Sequence, residues 1–178
     1  MGGVMDSART ATVSWHDPEQ VIPHIIGLDG LAYVTAVRDG ELPADPMMEA
    51  LGIEVVEAEH GRVVMAAAPS GPHMNLGGIV HGGFLSTLMD CATGFALHTT
   101  LPAGGTAPHV SAAYSFLRAG RAGVKLRCEA RVLRAGTRLG HVRCEVTDDD
   151  GRLVATGETT NAVIDTQAGR RMRSGPSA

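Results

Sequence analysis

Aromatic side chains are scarce in this 178-residue chain: one tryptophan, two tyrosines and three phenylalanines, 3% of the sequence. So sparse a set does not furnish the stacking platforms that single-stranded nucleic acid needs. Positive charge is not in excess either. Fifteen Lys and Arg stand against 19 Asp and Glu, a formal charge of -4, and the arginines are scattered among the acids, whereas nucleic-acid binding leaves a basic stripe or a high pI. No nucleic-acid partner is expected. No run approaches the roughly 18 to 20 continuous apolar residues of a membrane span, and the opening MGGVMDSART has no apolar signal core. A cytoplasmic protein without a membrane partner is the expectation. Cysteine is limited to Cys91, Cys128 and Cys144, odd in number, without CxxC spacing and set in apolar patterns, which reads as reduced, buried thiols. The eight histidines form no HExxH and combine with no cysteine at zinc spacing, so no metal is expected. The pairs Gly77-Gly78 and Gly82-Gly83 lack the P-loop spacing and follow no strand carrying GxGxxG, so no nucleotide or nicotinamide cofactor is expected.

What is abundant is glycine, 23 residues, in a chain that is 44% hydrophobic, enough for one core at this length. Residues 1–16 and the basic stretch 166–178 read as loose tails. Residues 17–51 read as an N-terminal helical extension: Asp17-Pro18-Glu19 is a helix start, Pro23 and the Gly27 to Gly30 region interrupt it, a second helical piece follows near 30–38, and Met47 to Leu51 forms a short helix stopped at Gly52. From residue 52 to 165 the pattern is that of one domain. IEVVEAE and RVVMAAA flank a His60-Gly61 turn as a hairpin, and the Gly- and Pro-rich stretch 69–82 is a long loop. Gly83 to about Thr100 carries a wide apolar face (Phe84, Leu88, Cys91 and Phe95, flanked by Leu85, Met89, Ala92 and Ala96) and predicts a mostly buried helix. Four strand-like stretches follow at 108–118, 123–134, 139–148 and 152–164, separated by turn signals such as Asp148-Asp149-Asp150-Gly151. Strands joined by hairpins around one long helix imply an α+β fold, an antiparallel sheet wrapped round that helix.

The chemistry gathers in residues 75–90. Glycines at the start of the buried helix stand where backbone amides lack intrahelical partners and the dipole end is positive. A thioester carbonyl there gains stabilisation as its oxygen becomes an oxyanion, and Gly82, without a Cβ, lets it come close. Asp90 lies eight positions on, a little over two turns, on the side of Ser86 and Thr93. A carboxylate in an apolar helix is costly without a task or a partner. It either attacks the carbonyl, acts as general base on water, or is a structural carboxylate paired with an arginine.

The pattern Asn-x5-His-Gly-Gly-x6-Asp, followed by HVSAAYSFLRAG and later by VLRAGTRLGHVRCEVTDDDGRLVATGETT, resembles the hot-dog-fold acyl-CoA thioesterases, in their phenylacetate-degradation (PaaI-like) branch, over roughly residues 45–164. The resemblance implies hydrolysis of an acyl-CoA to free acid and CoA without a cofactor. It assigns the nucleophile or base to Asp90, carbonyl polarisation to the Gly82 amide, and placement of water and substrate to Asn75 and His81. It also implies self-association to a dimer or tetramer with sites across the interface. Gly83, His109 and Ser111 become candidate substrate contacts, His109 standing where the relatives usually carry Thr or Ser, and Arg118, Arg134 and Arg138 become candidates for the CoA phosphates. Where the relatives often have proline after Leu-Arg, this chain has Ala119. The alternative is a non-catalytic acyl-CoA binding or sensing protein on the same fold. A hot-dog hydratase fits less well, since His81 and Asp90 are nine apart.

Overall fold

A computed structural model describes residues 8–165; the first seven residues and the basic stretch 166–178 lie outside it. The stretch leading to Asp17 has no regular structure, yet it is tied down: the His16 amide donates to Glu49 Oε2 at 2.7 Å and its ring Nδ1 lies 2.6 Å from Glu49 Oε1. Helix α1 (Pro18–Ile25) begins as its sequence dictates, with the Asp17 carboxylate accepting from the Glu19 amide at 3.0 Å. The expected interruption at Pro23 does not occur. The proline removes one hydrogen bond from a surface helix with no buried residue, and the chain completes its last turn regardless. Helix α2 (Gly30–Arg38) is capped by Asp29, and α3 (Pro46–Leu51) stops where Gly52 takes φ 63°, a left-handed turn that glycine adopts without penalty.

Strands β1 (Ile53–Glu59) and β2 (Arg62–Ala67) form the expected hairpin. Helix α4 (Gly82–His98) follows a loop holding one 3-10 turn, Gly71–His73. Then come β3 (Gly105–Thr106), β4 (His109–Phe116), β5 (Leu126–Ala135), β6 (Leu139–Thr147), β7 (Leu153–Ala162) and β8 (Ile164–Asp165). Six strands make one sheet in the order β1-β2-β5-β6-β7-β4, antiparallel throughout, and β3 pairs with β8 as a small separate ribbon.

The core lies between this sheet and α4, which packs on β2, β5, β6 and β7. Leu88, Met89, Ala92, Ala96 and Leu97 are buried from the helix, against Met65, Leu126, Cys128, Val142 and Val146 from the strands. Each fully buried Leu or Met contributes on the order of 1.5 to 3 kcal/mol. Small residues set the spacing: a Cβ on Gly140 would stand 2.4 Å from Leu97 Cδ2, so β6 approaches the helix end only because that atom is missing. Met48 of α3 is also fully buried, which fastens the N-terminal helices to the same core. All three cysteines are free thiols. Cys128 and Cys144 are buried, Cys91 half-buried, and burial pushes the Cys91 thiol up to about 12.

Candidate active site

The first turn of α4 leaves one amide unsatisfied. His81 is the N-cap, and its ring Nδ1 accepts from the Gly83 amide at 2.8 Å. The His81 carbonyl accepts from Phe84 at 3.0 Å and from Leu85 at 3.3 Å. The Gly82 N–H has no acceptor among the described residues, and it stands at the positive end of a 17-residue helix. The Phe116 ring of β4 lies beside it, 3.5 Å from where a Cβ on Gly82 would stand.

Asn75 and His81 both hold the loop that leads into α4. Asn75 Oδ1 accepts from the Gly77 amide at 2.9 Å and the Ile79 amide at 3.4 Å, and Gly78 completes the turn with φ 73°. The His81 amide donates to the His73 carbonyl at 2.9 Å, and the His73 ring stacks on Phe84 at 4.7 Å. These contacts fix the path of the loop into α4 and so aim the Gly82 amide.

Asp90 lies two turns further along and is 53% exposed. Its Oδ1 is 3.4 Å from His109 Nδ1, and Oδ2 makes no hydrogen bond among the described residues. No arginine reaches it, so the structural ion pair with arginine is absent from the described residues. Thr93, one turn on, contacts the other side of the same imidazole, with Oγ1 3.0 Å from Nε2.

A bulge decides which candidates on β4 face the helix. In the pairing with β7, Ala112, Tyr114 and Phe116 lie opposite Thr159, Gly157 and Ala155, and the register slips between His109 and Ser111. Alternation alone would put position 110 on the helix side with 112, 114 and 116. The extra residue, Val110, is instead pushed outward, 58% exposed, and His109 takes its place facing α4. Ser111 goes to the outer face, in a row with Thr160 and His141. The structure therefore brings His109 to Asp90 and does not bring Ser111 there.

The three arginines divide between the two ends of α4. Arg118 follows Phe116 by two residues and lies at the Gly82 end. Arg134 and Arg138 flank the β5–β6 turn, near Leu97 at the far end. All three are exposed, and none makes a side-chain hydrogen bond or ion pair among the described residues.

Comparison with known proteins supplies the family. The thioesterase superfamily matches residues 77–155, the stretch that holds Gly82, Asp90 and His109. A mutant of the phenylacetic acid degradation protein PaaI from Thermus thermophilus is 34% identical, superposes with a TM-score of 0.62, and is covered over 98% of its length by 66% of this chain. The chain belongs to the thioesterase superfamily. The Escherichia coli PaaI protein of the phenylacetic acid degradation operon superposes on this thioesterase with a TM-score of 0.68 at 25% identity, over 75% of this chain and 96% of that one. A Streptococcus mutans protein solved with acetyl-CoA bound superposes at 0.60 with 26% identity, over 64% of this chain and 89% of its own. The hot-dog architecture, a six-stranded antiparallel sheet packed on one long helix, is common ground with these relatives, and the likeness to PaaI proteins places the chain near that branch.

Proposed function

We propose that this thioesterase hydrolyses an acyl-CoA, with the free Gly82 amide polarising the thioester carbonyl and Asp90 driving the attack. The observation that carries the reading is the unsatisfied Gly82 N–H at the N-terminus of α4, with a carboxylate further along the same helix. The negative charge that develops on a thioester oxygen during attack is what a helix N-terminal amide stabilises best. As general base, Asp90 takes a proton from water while the water oxygen adds to the carbonyl carbon. The tetrahedral intermediate then expels the CoA thiolate, and the proton passes to that sulfur. As nucleophile, Asp90 would itself add to the carbonyl carbon and expel the CoA thiolate, which takes up a proton, and water would then open the resulting anhydride to the free acid and the restored carboxylate.

A second copy reconciles the roles of Gly82 and Asp90 with the geometry of the helix. Eight residues at 1.5 Å each separate Gly82 from Asp90 by about 12 Å along the axis, whereas the amide must lie about 3 Å from the carbonyl oxygen and the carboxylate about 3 Å from either its carbon or the attacking water. We therefore assign the Gly82 amide of one protomer and Asp90 of its partner to one site in a two-fold dimer. The β4 edge favours such a partner, since Val110, Phe116 and the following Leu117 are all more than half exposed. The fully exposed Leu76 at the tip of the loop before α4 is a further apolar contact for it. Arg118 at the Gly82 end, and Arg134 and Arg138 brought from the other protomer, are the cations available for CoA phosphates. The acetyl-CoA bound to the Streptococcus mutans relative supports CoA as the carrier.

The test is thiol release from a panel of acyl-CoAs differing in chain length and aromaticity, with Asp90→Asn as control. Wild type turns over at least one of them, and the variant, which keeps the shape but not the base, falls by about 10²- to 10⁴-fold. Equal turnover by Asp90→Asn would remove the carboxylate from the mechanism. Saturable acyl-CoA binding with no thiol released by wild type would make the protein a sensor.

A further inference from the structure

Resting on the reading of Asp90 above, we infer that His109 is a positioning residue for it: the two share a single proton between His109 Nδ1 and Asp90 Oδ1, which fixes one carboxylate oxygen and leaves Oδ2 free for the reaction. The argument starts from Thr93. Its Oγ1 lies 2.8 Å from the Met89 carbonyl, 3.1 Å from the Asp90 carbonyl and 3.0 Å from His109 Nε2. Both carbonyls can only accept, and each already holds a helical amide, so the hydroxyl proton can go to Nε2, which leaves the ring proton for Nδ1.

A bare lone pair at Nδ1 would face the Asp90 carboxylate at 3.4 Å, acceptor against acceptor. A proton on Nδ1, with the Thr93 hydroxyl donating to Nε2, turns that repulsion into a hydrogen bond. The separation is longer than a formed N–H···O bond, as contacts of unliganded sites often are before substrate tightens them.

Two further features fit a seat built for this ring. The bulge at Val110 turns His109 toward α4. Gly94, in the middle of α4, provides the room: a Cβ there would stand 3.2 Å from His109 Cε1. A mid-helix glycine costs roughly 1 kcal/mol relative to alanine, so Asp90, Thr93 and Gly94 form a slot, two polar contacts and a gap, at a cost to the helix itself.

The surroundings leave this proton to the pair. Asp90 is the one carboxylate in contact with the ring among the described residues. Cys91 on α4 and Tyr114 on β4 are pushed up by burial, and Cys128 on β5 by its contact with the Cys144 thiol of β6 together with burial, so these three stay uncharged near neutral pH. From β7 the ring is opposed by neutral Asn161. His141 lies on the other face of the sheet, bonded to Thr160.

The experiment compares kcat and KM for wild type, His109→Asn and His109→Gln. The Asn amide sits near the Nδ1 position and keeps a donor to Asp90; the Gln amide sits near Nε2 and keeps only the Thr93 contact. His109→Asn is expected within about tenfold of wild type, while His109→Gln loses about 10²-fold in kcat with KM little changed. Equal kcat in all three would overturn the proposal by reducing the ring to packing. Ring ¹⁵N spectra provide a readout independent of turnover. A proton is expected on Nδ1 of His109 in wild type. An unprotonated Nδ1 would sink the shared proton. If no acyl-CoA is hydrolysed while Nδ1 carries its proton, the thioesterase reading fails and the shared proton stands.

Discussion

The sheet has two edges, and they are finished in opposite ways. Strand β1 carries Glu54, Glu57 and Glu59, has a bulge between Val55 and Glu57, and is packed by α2 and α3. Charge, irregularity and covering helices are the means by which an edge strand is kept from adding another strand. Strand β4 has neither carboxylate nor amine. Its bulge is confined to the first residues, its regular pairing runs from Ser111 to Phe116, and its apolar side chains stand in the open. The β1 edge is closed by its own chain, whereas the β4 edge keeps exposed apolar side chains and is the one proposed for a second copy. The residues proposed for chemistry, Gly82, Asp90 and His109, all lie along the open one. Substitutions near β1 should therefore read out as stability, and substitutions near β4 as assembly and turnover.

The largest effect expected comes from a charge in the middle of β4. Ala113 is exposed and lies opposite Glu158 of β7, so Ala113→Lys gains an ion pair inside its own chain while lysines of two copies would oppose each other across a β4 to β4 contact. Like charges forced together cost several kcal/mol, which weakens the dimer by about 10²- to 10³-fold. Sedimentation is expected to show a dimer for wild type and a monomer for the variant, with thiol release falling in step and the urea midpoint unchanged. A variant that remains dimeric with wild-type turnover would show that the copies join elsewhere.

Gly82→Ala sharpens the same side. A Cβ at 82 meets only the Phe116 ring, at 3.5 Å, an ordinary contact, and the backbone there needs no left-handed φ. The helix should be as stable as before, while a methyl group now stands where the carbonyl must approach the amide. Turnover is expected to drop by roughly tenfold to 10²-fold, toward the loss seen when an oxyanion donor is removed. Gly83→Ala is the instructive neighbour, because its Cβ would press on His81 Nδ1 at 3.0 Å and disturb the cap, adding a stability loss that Gly82→Ala lacks. Unchanged kinetics in Gly82→Ala would remove the amide from the mechanism.

Much of this arrangement could be read from sequence, for identifiable reasons. The β1–β2 hairpin, α4 and the four strands after it are carried by local periodicity and by turn glycines such as Gly61 and Gly151, both with positive φ. The spacing from His81 to Asp90 is local too, and so was legible. What escaped depends on partners far along the chain. The bulge that separates His109 from Ser111 exists only in register with β7, about 50 residues on. The β3–β8 ribbon is two residues on each side, too short to carry a period. The tie between His16 and Glu49 spans 33 positions. Gly94 was a signal in plain view: an unexplained glycine within a helix, four residues after the acid, marks a close approach that only the fold can name.

The smallest effect belongs to the closed edge. Arg62 on β2 holds Glu57, Glu59 and Glu129 at 2.7, 3.1 and 2.9 Å. Its hydrogen bond keeps the Glu129 carboxyl below the usual carboxylate range against the opposing effect of burial, and Arg127 and then Arg62 do the same for Glu57. A carboxyl whose value is depressed by folding stabilises the folded state above its unfolded value, and that contribution is lost as pH falls through the folded one. Arg62→Met should thus cost up to about 1 kcal/mol at neutral pH through the Arg62–Glu129 pair, a figure kept small by solvent screening. The gap between wild type and variant should close as pH drops below the usual carboxylate range near about 4. Urea midpoints at neutral and acid pH read this directly, with thiol release per folded enzyme unchanged. A variant that kept wild-type stability at both pH values but lost turnover would mean that the β1 side also serves the reaction, and the division between the two edges would not hold.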